Sequence, residues 1–163
     1  MERLWSPWRH AYVTRSDDAA GCVFCEALRH DEGRALVVHE GPTCFVILNL
    51  YPYNSGHLMV VPRRHVGTLA ALTADELSEM AQGTRLAEMA LTEAYQPQGL
   101  NVGMNLGRPA GAGVLDHLHV HLVPRWTGDT NFMSVVGEVR VLPEELRQTA
   151  DRLRPIFQRL SHA

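Results

Sequence analysis

Hydrophobic and polar positions alternate differently in different parts of the chain, and the changes of period mark its elements. Residues 35–39 and 43–48 are rich in β-formers, and Gly41-Pro42 between them is a turn signal, which predicts a hairpin. After the polar interruption Tyr51-Pro52-Tyr53-Asn54-Ser55-Gly56, residues 57–62 predict a third strand. Thr73-Ala74-Asp75-Glu76 is a capping box, with Glu three residues after Thr, and opens a long helix reaching about Tyr95. Leu77, Met80, Ala81, Thr84, Ala87, Ala90 and Leu91 form its expected apolar stripe. Pro97 and Gly99 are expected to end it. Residues 100–105 and 118–123 predict a fourth and a fifth strand. Residues 22–29 suit a short helix. Pro143 and Glu144-Glu145 suit the first turn of a C-terminal helix ending near Leu160. Strands clustered around one long helix predict an α+β domain on an antiparallel sheet of about five strands.

The chain has 163 residues, 45% hydrophobic and 20% charged, with a formal net charge of −3. That suits one globular domain with a real core. No internal repeat or long Pro/Gly/Ser linker divides it. The near-neutral balance argues against a nucleic-acid partner. Residues 41–62 lack Asp, Glu, Lys and Arg, but Pro42, Asn49, Pro52 and Asn54 interrupt them. Two buried strands and a turn fit better than a membrane span. The three cysteines are an odd number and the first residues, Met1-Glu2-Arg3-Leu4-Trp5, have no apolar core. A reducing cytoplasm is therefore the expected compartment. The N-terminal Trp5 and Trp8 are expected to pack on the body or on a partner subunit.

Nine histidines are the unusual entry in the composition. Three fall in His117-Leu118-His119-Val120-His121. On a strand, alternate side chains share a face about 6.6 Å apart. Three imidazoles on one surface suit either metal ligation or nucleotidyl transfer with one ring as nucleophile. Cys22-Val23-Phe24-Cys25 is either a redox pair or half of a metal site. The thioredoxin-like context is absent, and Cys22, Cys25, His65 and His117 make a sound Cys2His2 zinc set. Cys44 reads as a core residue. The stretch Leu106-Gly107-Arg108-Pro109-Ala110-Gly111-Ala112-Gly113 is glycine-rich. Its backbone amides, Gly111 and Gly113 among them, suit an anion nest, with Arg108 adding charge.

The run His117 to Val123 resembles the signature of the histidine-triad (HIT) family. The resemblance extends upstream through Phe45-Val46-Ile47-Leu48-Asn49, Gly56-His57 and Val60-Val61-Pro62, and downstream through Pro124-Arg125. It covers roughly residues 20–126. The tract Gly128-Asp129-Thr130-Asn131-Phe132-Met133 and the Trp-rich N-terminus look like the bacterial branch that includes diadenosine tetraphosphate phosphorylases. The resemblance implies one HIT domain over residues 1–163, with extensions at 1–20 and 126–163, and a homodimer joined across the long helix and fourth strand. It implies that His119 attacks the α-phosphorus of a nucleotide and that His57 supports His121 at the phosphate. It places Asn49 at ribose and Asn105 at phosphate or leaving group. It also implies structural zinc on Cys22, Cys25, His65 and His117. Many relatives carry Gln, Ser or Thr in the loop before the triad; between Asn105 and Asp116 this chain has none. Hydrolysis, phosphorolysis and phosphoramidate cleavage thus stay open as the natural reaction. A zinc hydrolase with the triad as ligands is the alternative from a different class.

Overall fold

The computed structural model describes residues 21–129 and 144–162. The expected roles of Trp5 and Trp8, the tract from Thr130 to Met133, and Pro143 lie outside these residues. The elements are α1 (Val23–Ala27), α2 (Asp31–Arg34), β1 (Val37–Glu40), β2 (Cys44–Leu48), β3 (Leu58–Pro62), α3 (Ala74–Tyr95), β4 (Gly99–Gly103), β5 (Val120–Arg125) and α4 (Leu146–Leu160). Two single 3-10 turns, Leu69–Ala71 and Arg108–Ala110, punctuate the loops. The five strands form one antiparallel sheet in the order β1-β2-β3-β5-β4. This is the expected α+β class.

The sheet divides the core in two. Val38, Cys44, Val46, Leu48, Leu58, Val60, Leu118, Val120 and Leu122 face Met80, Ala87, Ala90 and Leu91 of α3 and Ala150, Leu153 and Phe157 of α4. The opposite face carries a smaller cluster, Val37, Phe45, Ile47, Met59 and Val61, covered by Phe24 and Ala27 of α1. Strands β2 and β3 are therefore buried on both faces, which explains their continuous apolar runs.

Several boundaries differ from the pattern. The fifth strand begins at Val120, not 118, because the Leu118 amide bonds the Val66 carbonyl (2.6 Å) before the chain joins the β3 ladder. The fourth strand spans Gly99–Gly103, so Asn105 lies just beyond its end. Leu77 and Ala81 of α3 face outward, whereas Gly83 faces in. A Cβ at Gly83 would stand 3.2 Å from Val60 Cγ1 and 3.4 Å from Cys44 Sγ, so the helix rests closely on the sheet there. The helix ends on Gln96, in the left-handed conformation (φ 46°), just before Pro97. Helix α4 starts at Leu146 rather than in the Glu144-Glu145 pair. Glu144 instead accepts bonds from Tyr95 (2.5 Å), Thr149 (3.0 Å) and Arg152 (2.7 Å), joining the two long helices.

The capping box of α3 is present, with Glu76 N donating to Thr73 Oγ1 (3.2 Å) and Thr73 N to Glu76 Oε2 (2.8 Å). Arg64, at the end of β3, adds a two-pronged contact to the same carboxylate (2.8 and 2.6 Å). Arg64 and the Thr73 amide hold Glu76 down at about 2, against an ordinary value of 4.5. A depressed carboxylate stabilises the fold above its unfolded pKa and loses that contribution as pH falls through the folded one. Thermal stability should therefore decline between about pH 4.5 and pH 2, and Glu76→Gln should flatten that limb of a Tm–pH curve. An unchanged limb would show that the pair adds nothing.

Candidate functional site

The turn between β2 and β3 and the entry to β5 bring the sequence-predicted histidines together. His121 pairs in register with Met59 on β3, next to His57 at the end of the preceding loop. His57 Nε2 lies 3.0 Å from His121 Nδ1. The Tyr53 amide donates to His57 Nδ1 (3.1 Å). A backbone N–H only donates, so Nδ1 holds a lone pair and the neutral ring carries its proton on Nε2. His57 Nε2–H then donates to His121 Nδ1, and His121 keeps its own proton on Nε2. Two bonds thus assign two tautomers.

His119 is governed separately. Its Nδ1 lies 2.9 Å from the carbonyl of His117. A carbonyl only accepts, so Nδ1 is protonated and the lone pair sits on Nε2. Burial holds this imidazole below its ordinary 6.5, against the opposing pull of that carbonyl, and so keeps it neutral near pH 7. The His121 ring stands nearly perpendicular to it, 4.7 Å between centroids. Phe24 packs on His119 at 5.0 Å and on His117 at 5.4 Å. Apart from lying between two cysteines, Phe24 carries no sequence signal. It becomes visible only when α1 is laid on the sheet.

His117 has a different set of partners. Its Nε2–H donates to the Pro62 carbonyl (2.7 Å), which leaves the Nδ1 lone pair 3.1 Å from Cys22 Sγ and 3.7 Å from Cys25 Sγ. His65 Nδ1 is 3.5 Å from Cys25 Sγ. All four ligand atoms lie within 4.8 Å of one another. A tetrahedral ion with ordinary Zn–S and Zn–N bonds separates such atoms by about 3.5 Å. The set therefore fits a Cys2His2 ion. The Pro62 carbonyl supplies the outer contact that fixes a metal-binding imidazole. Burial pushes the Cys22 thiol up, but the hydrogen bond with His117 and those from the Cys25 and Phe24 amides outweigh it, bringing it down to about 6. Burial and the neighbouring Cys22 push Cys25 up. Among the described residues, the converging ligand set includes only His117 of the triad. His119 and His121 are not part of that set.

The remaining expected residues make other contacts. Asn49, at the end of β2, accepts the Tyr51 amide on Oδ1 (2.9 Å), and its Nδ2 is 3.5 Å from His57 Nε2. Asn105 Nδ2 donates to the Gly111 carbonyl (3.2 Å). Gly111 has φ +92° and its amide donates to the Arg108 carbonyl (2.9 Å). The amides of Ala110 and Ala112 both go to Gly107 (3.2 and 3.3 Å). These three N–H groups are used inside the loop rather than forming the expected open nest. Arg108 is exposed, and Gly113 half-buried.

Comparisons with known proteins bear on the family and the fold. The HIT domain family model matches residues 30–128. The chain is 41% identical over 157 residues to the AP-4-A phosphorylase of Mycobacterium tuberculosis, covering 91% of this chain and 80% of that one. A histidine triad nucleotide-binding protein from Sulfolobus tokodaii, described as hypothetical, superposes with a TM-score of 0.69 at 29% identity, covering 86% of this chain and 94% of its own. A zinc-bound histidine triad family protein from Mycobacterium smegmatis shares the fold with a TM-score of 0.70 at 24% identity, over 87% and 96% of the two chains. With its signature run, its five-stranded sheet and a family match across most of its length, the chain belongs to the HIT family.

Proposed function

We propose that this chain is a nucleotidyl transferase or hydrolase that cleaves dinucleoside polyphosphates of the diadenosine tetraphosphate kind. The observation that carries the reading is the tautomer of His119. Its proton is held on the backbone side, and a neutral Nε2 is left as nucleophile. In the first step Nε2 attacks the α-phosphorus, a P–N bond forms, and the P–O bond to the departing polyphosphate breaks. His121 Nε2–H donates to a non-bridging oxygen as charge grows there. In the second step inorganic phosphate or water takes the nucleotidyl group and His119 is restored. Asn49 serves the ribose hydroxyls. Asn105, Arg108, Gly111 and Gly113 lie along the phosphate chain. The 41% identity to an AP-4-A phosphorylase supports the substrate class and favours phosphate as acceptor.

Cys22, Cys25, His65 and His117 hold zinc in a structural role. Four protein ligands leave no position for water. The chain acts as a homodimer through α3 and β4. Support comes from the edge position of β4, the exposed Val102 on it, and the outward Leu77 and Met89 on α3. Among the described residues no helix is long and apolar enough to cross a membrane. A cytoplasmic location follows from a metal set that requires two reduced cysteines.

Product analysis of diadenosine tetraphosphate cleavage tests the reaction. ADP plus ATP formed only with inorganic phosphate identifies phosphorolysis. AMP plus ATP formed in water identifies hydrolysis. Cleavage of adenosine phosphoramidates with polyphosphates left intact overturns the substrate assignment.

A further inference from the structure

The loop between β2 and β3, residues 49–57, carries Tyr53 and His57, and a connection of that length needs its own fastenings to hold a ring in place. Some are internal. Asn49 N donates to the His57 carbonyl (2.9 Å), and His57 N to the Asn54 carbonyl (3.2 Å). Gly56, at the third position of that turn, has φ +78°, the left-handed value a type II turn requires. A further fastening leaves the loop. Asn54 Nδ2 donates to the Pro124 carbonyl of β5 (2.9 Å) and to Asp129 Oδ2 (2.8 Å). Asp129 is itself anchored by Arg125 (2.6 and 3.0 Å) and the Trp126 amide (3.2 Å), and Arg125 by Asn101 (2.8 Å). The Arg125 guanidinium also holds the Asp129 carboxyl far below the usual carboxylate range, so the acceptor is permanently charged.

We propose that Asn54 is a positioning residue: by latching loop 49–57 to Pro124 and Asp129, it keeps the Tyr53 amide on His57 Nδ1 and so fixes the tautomers of His57 and His121. This rests on the nucleotidyl-transfer reading above and extends it to a residue that does not touch substrate. The latch ends on the same strand that carries His121, three residues beyond it. Thus the two rings are aligned from both sides, by the β3–β5 ladder and by Asn54. If the Tyr53 amide withdraws, the His57 proton can move to Nδ1. Nε2 would then face His121 Nδ1 lone pair to lone pair at 3.0 Å unless His121 also reverses. A reversed His121 presents a lone pair, not a proton, from Nε2 and repels phosphoryl oxygens.

The test combines ¹⁵N spectra of the histidine rings with steady-state kinetics on diadenosine tetraphosphate. The expected result for Asn54→Ala is a mixed tautomer at His57, with kcat lowered roughly 10–100-fold and KM little changed. Asn54→Asp, which sets a carboxylate against Asp129, should fall further. Adding Asp129→Asn to it restores a donor between the two positions and should recover part of both readouts. An unchanged Nε2–H tautomer at His57 in Asn54→Ala overturns the proposal, whether or not kcat falls. If the native chain cleaves no dinucleoside polyphosphate, it is the functional reading that fails, and the spectra alone then decide whether Asn54 sets the tautomer.

Discussion

His119→Ala should abolish trapping of labelled nucleotide on the protein and lower turnover by about 10⁵- to 10⁶-fold, the scale of losing a covalent nucleophile. The size follows from the absence of a substitute at that place. His121 and His57 lie next in the cluster, but the lone pairs on their Nδ1 atoms already accept from His57 and from the Tyr53 amide. Neither ring offers a second nucleophilic nitrogen without breaking its hydrogen-bond chain. His121→Ala removes a donor to the developing charge instead, and should cost about 10²- to 10³-fold while the labelled intermediate still forms. Comparing the two variants separates attack from charge stabilisation. Circular dichroism confirms that each is folded. Turnover near the native level in His119→Ala would overturn the covalent route.

Zinc should be found at one ion per chain, and its loss should be felt in stability before chemistry. Cys25→Ala is expected to lower stability by about 4 kcal/mol or more, within the range where loss of a metal stands out from ordinary substitutions. For a chain of this size that is a fall in Tm on the order of 10 °C. The cause is geometric. The set ties α1 to the loop after β3 and to the entry of β5, three segments far apart in sequence. Chelation should reproduce the Tm shift, and the protein still folded should keep its rate. Chelation that stops turnover with no change in Tm would overturn the structural assignment and restore water activation at the ion.

Much of this was legible in the sequence because it is local. The capping box and the hairpin turn each express one element's own geometry and appear where expected, whereas of the His-apolar alternation only Val120 and His121 lie on the strand. The Cys2His2 cluster was legible through chemistry and resemblance rather than spacing, since His65 and His117 are 52 positions apart in the chain. What remained hidden depends on contacts across elements. The inward stripe of α3 holds Met80, Ala87, Ala90 and Leu91 as expected, but takes Gly83, close on Val60 and Cys44, and leaves Leu77 and Ala81 outside. The start of β5 was misjudged because Leu118 bonds outside the ladder. The contact between Asn54 and Asp129, 75 positions apart, shows only in the folded chain.

His117 and His119 sit two residues apart and hold their protons on opposite nitrogens, Nε2 in the first and Nδ1 in the second. The approach to β5 therefore carries two chemically inverted copies of one side chain, and a methyl group on a ring nitrogen acquires a site-dependent meaning. On Nε2 of His119 it would block attack and spare the backbone bond. On Nε2 of His117 it would sever the Pro62 bond and spare the ligating atom. Semisynthesis with regioselectively methylated histidines could thus silence the reaction and the metal's outer contact one at a time, in a chain whose side chains otherwise keep their shape.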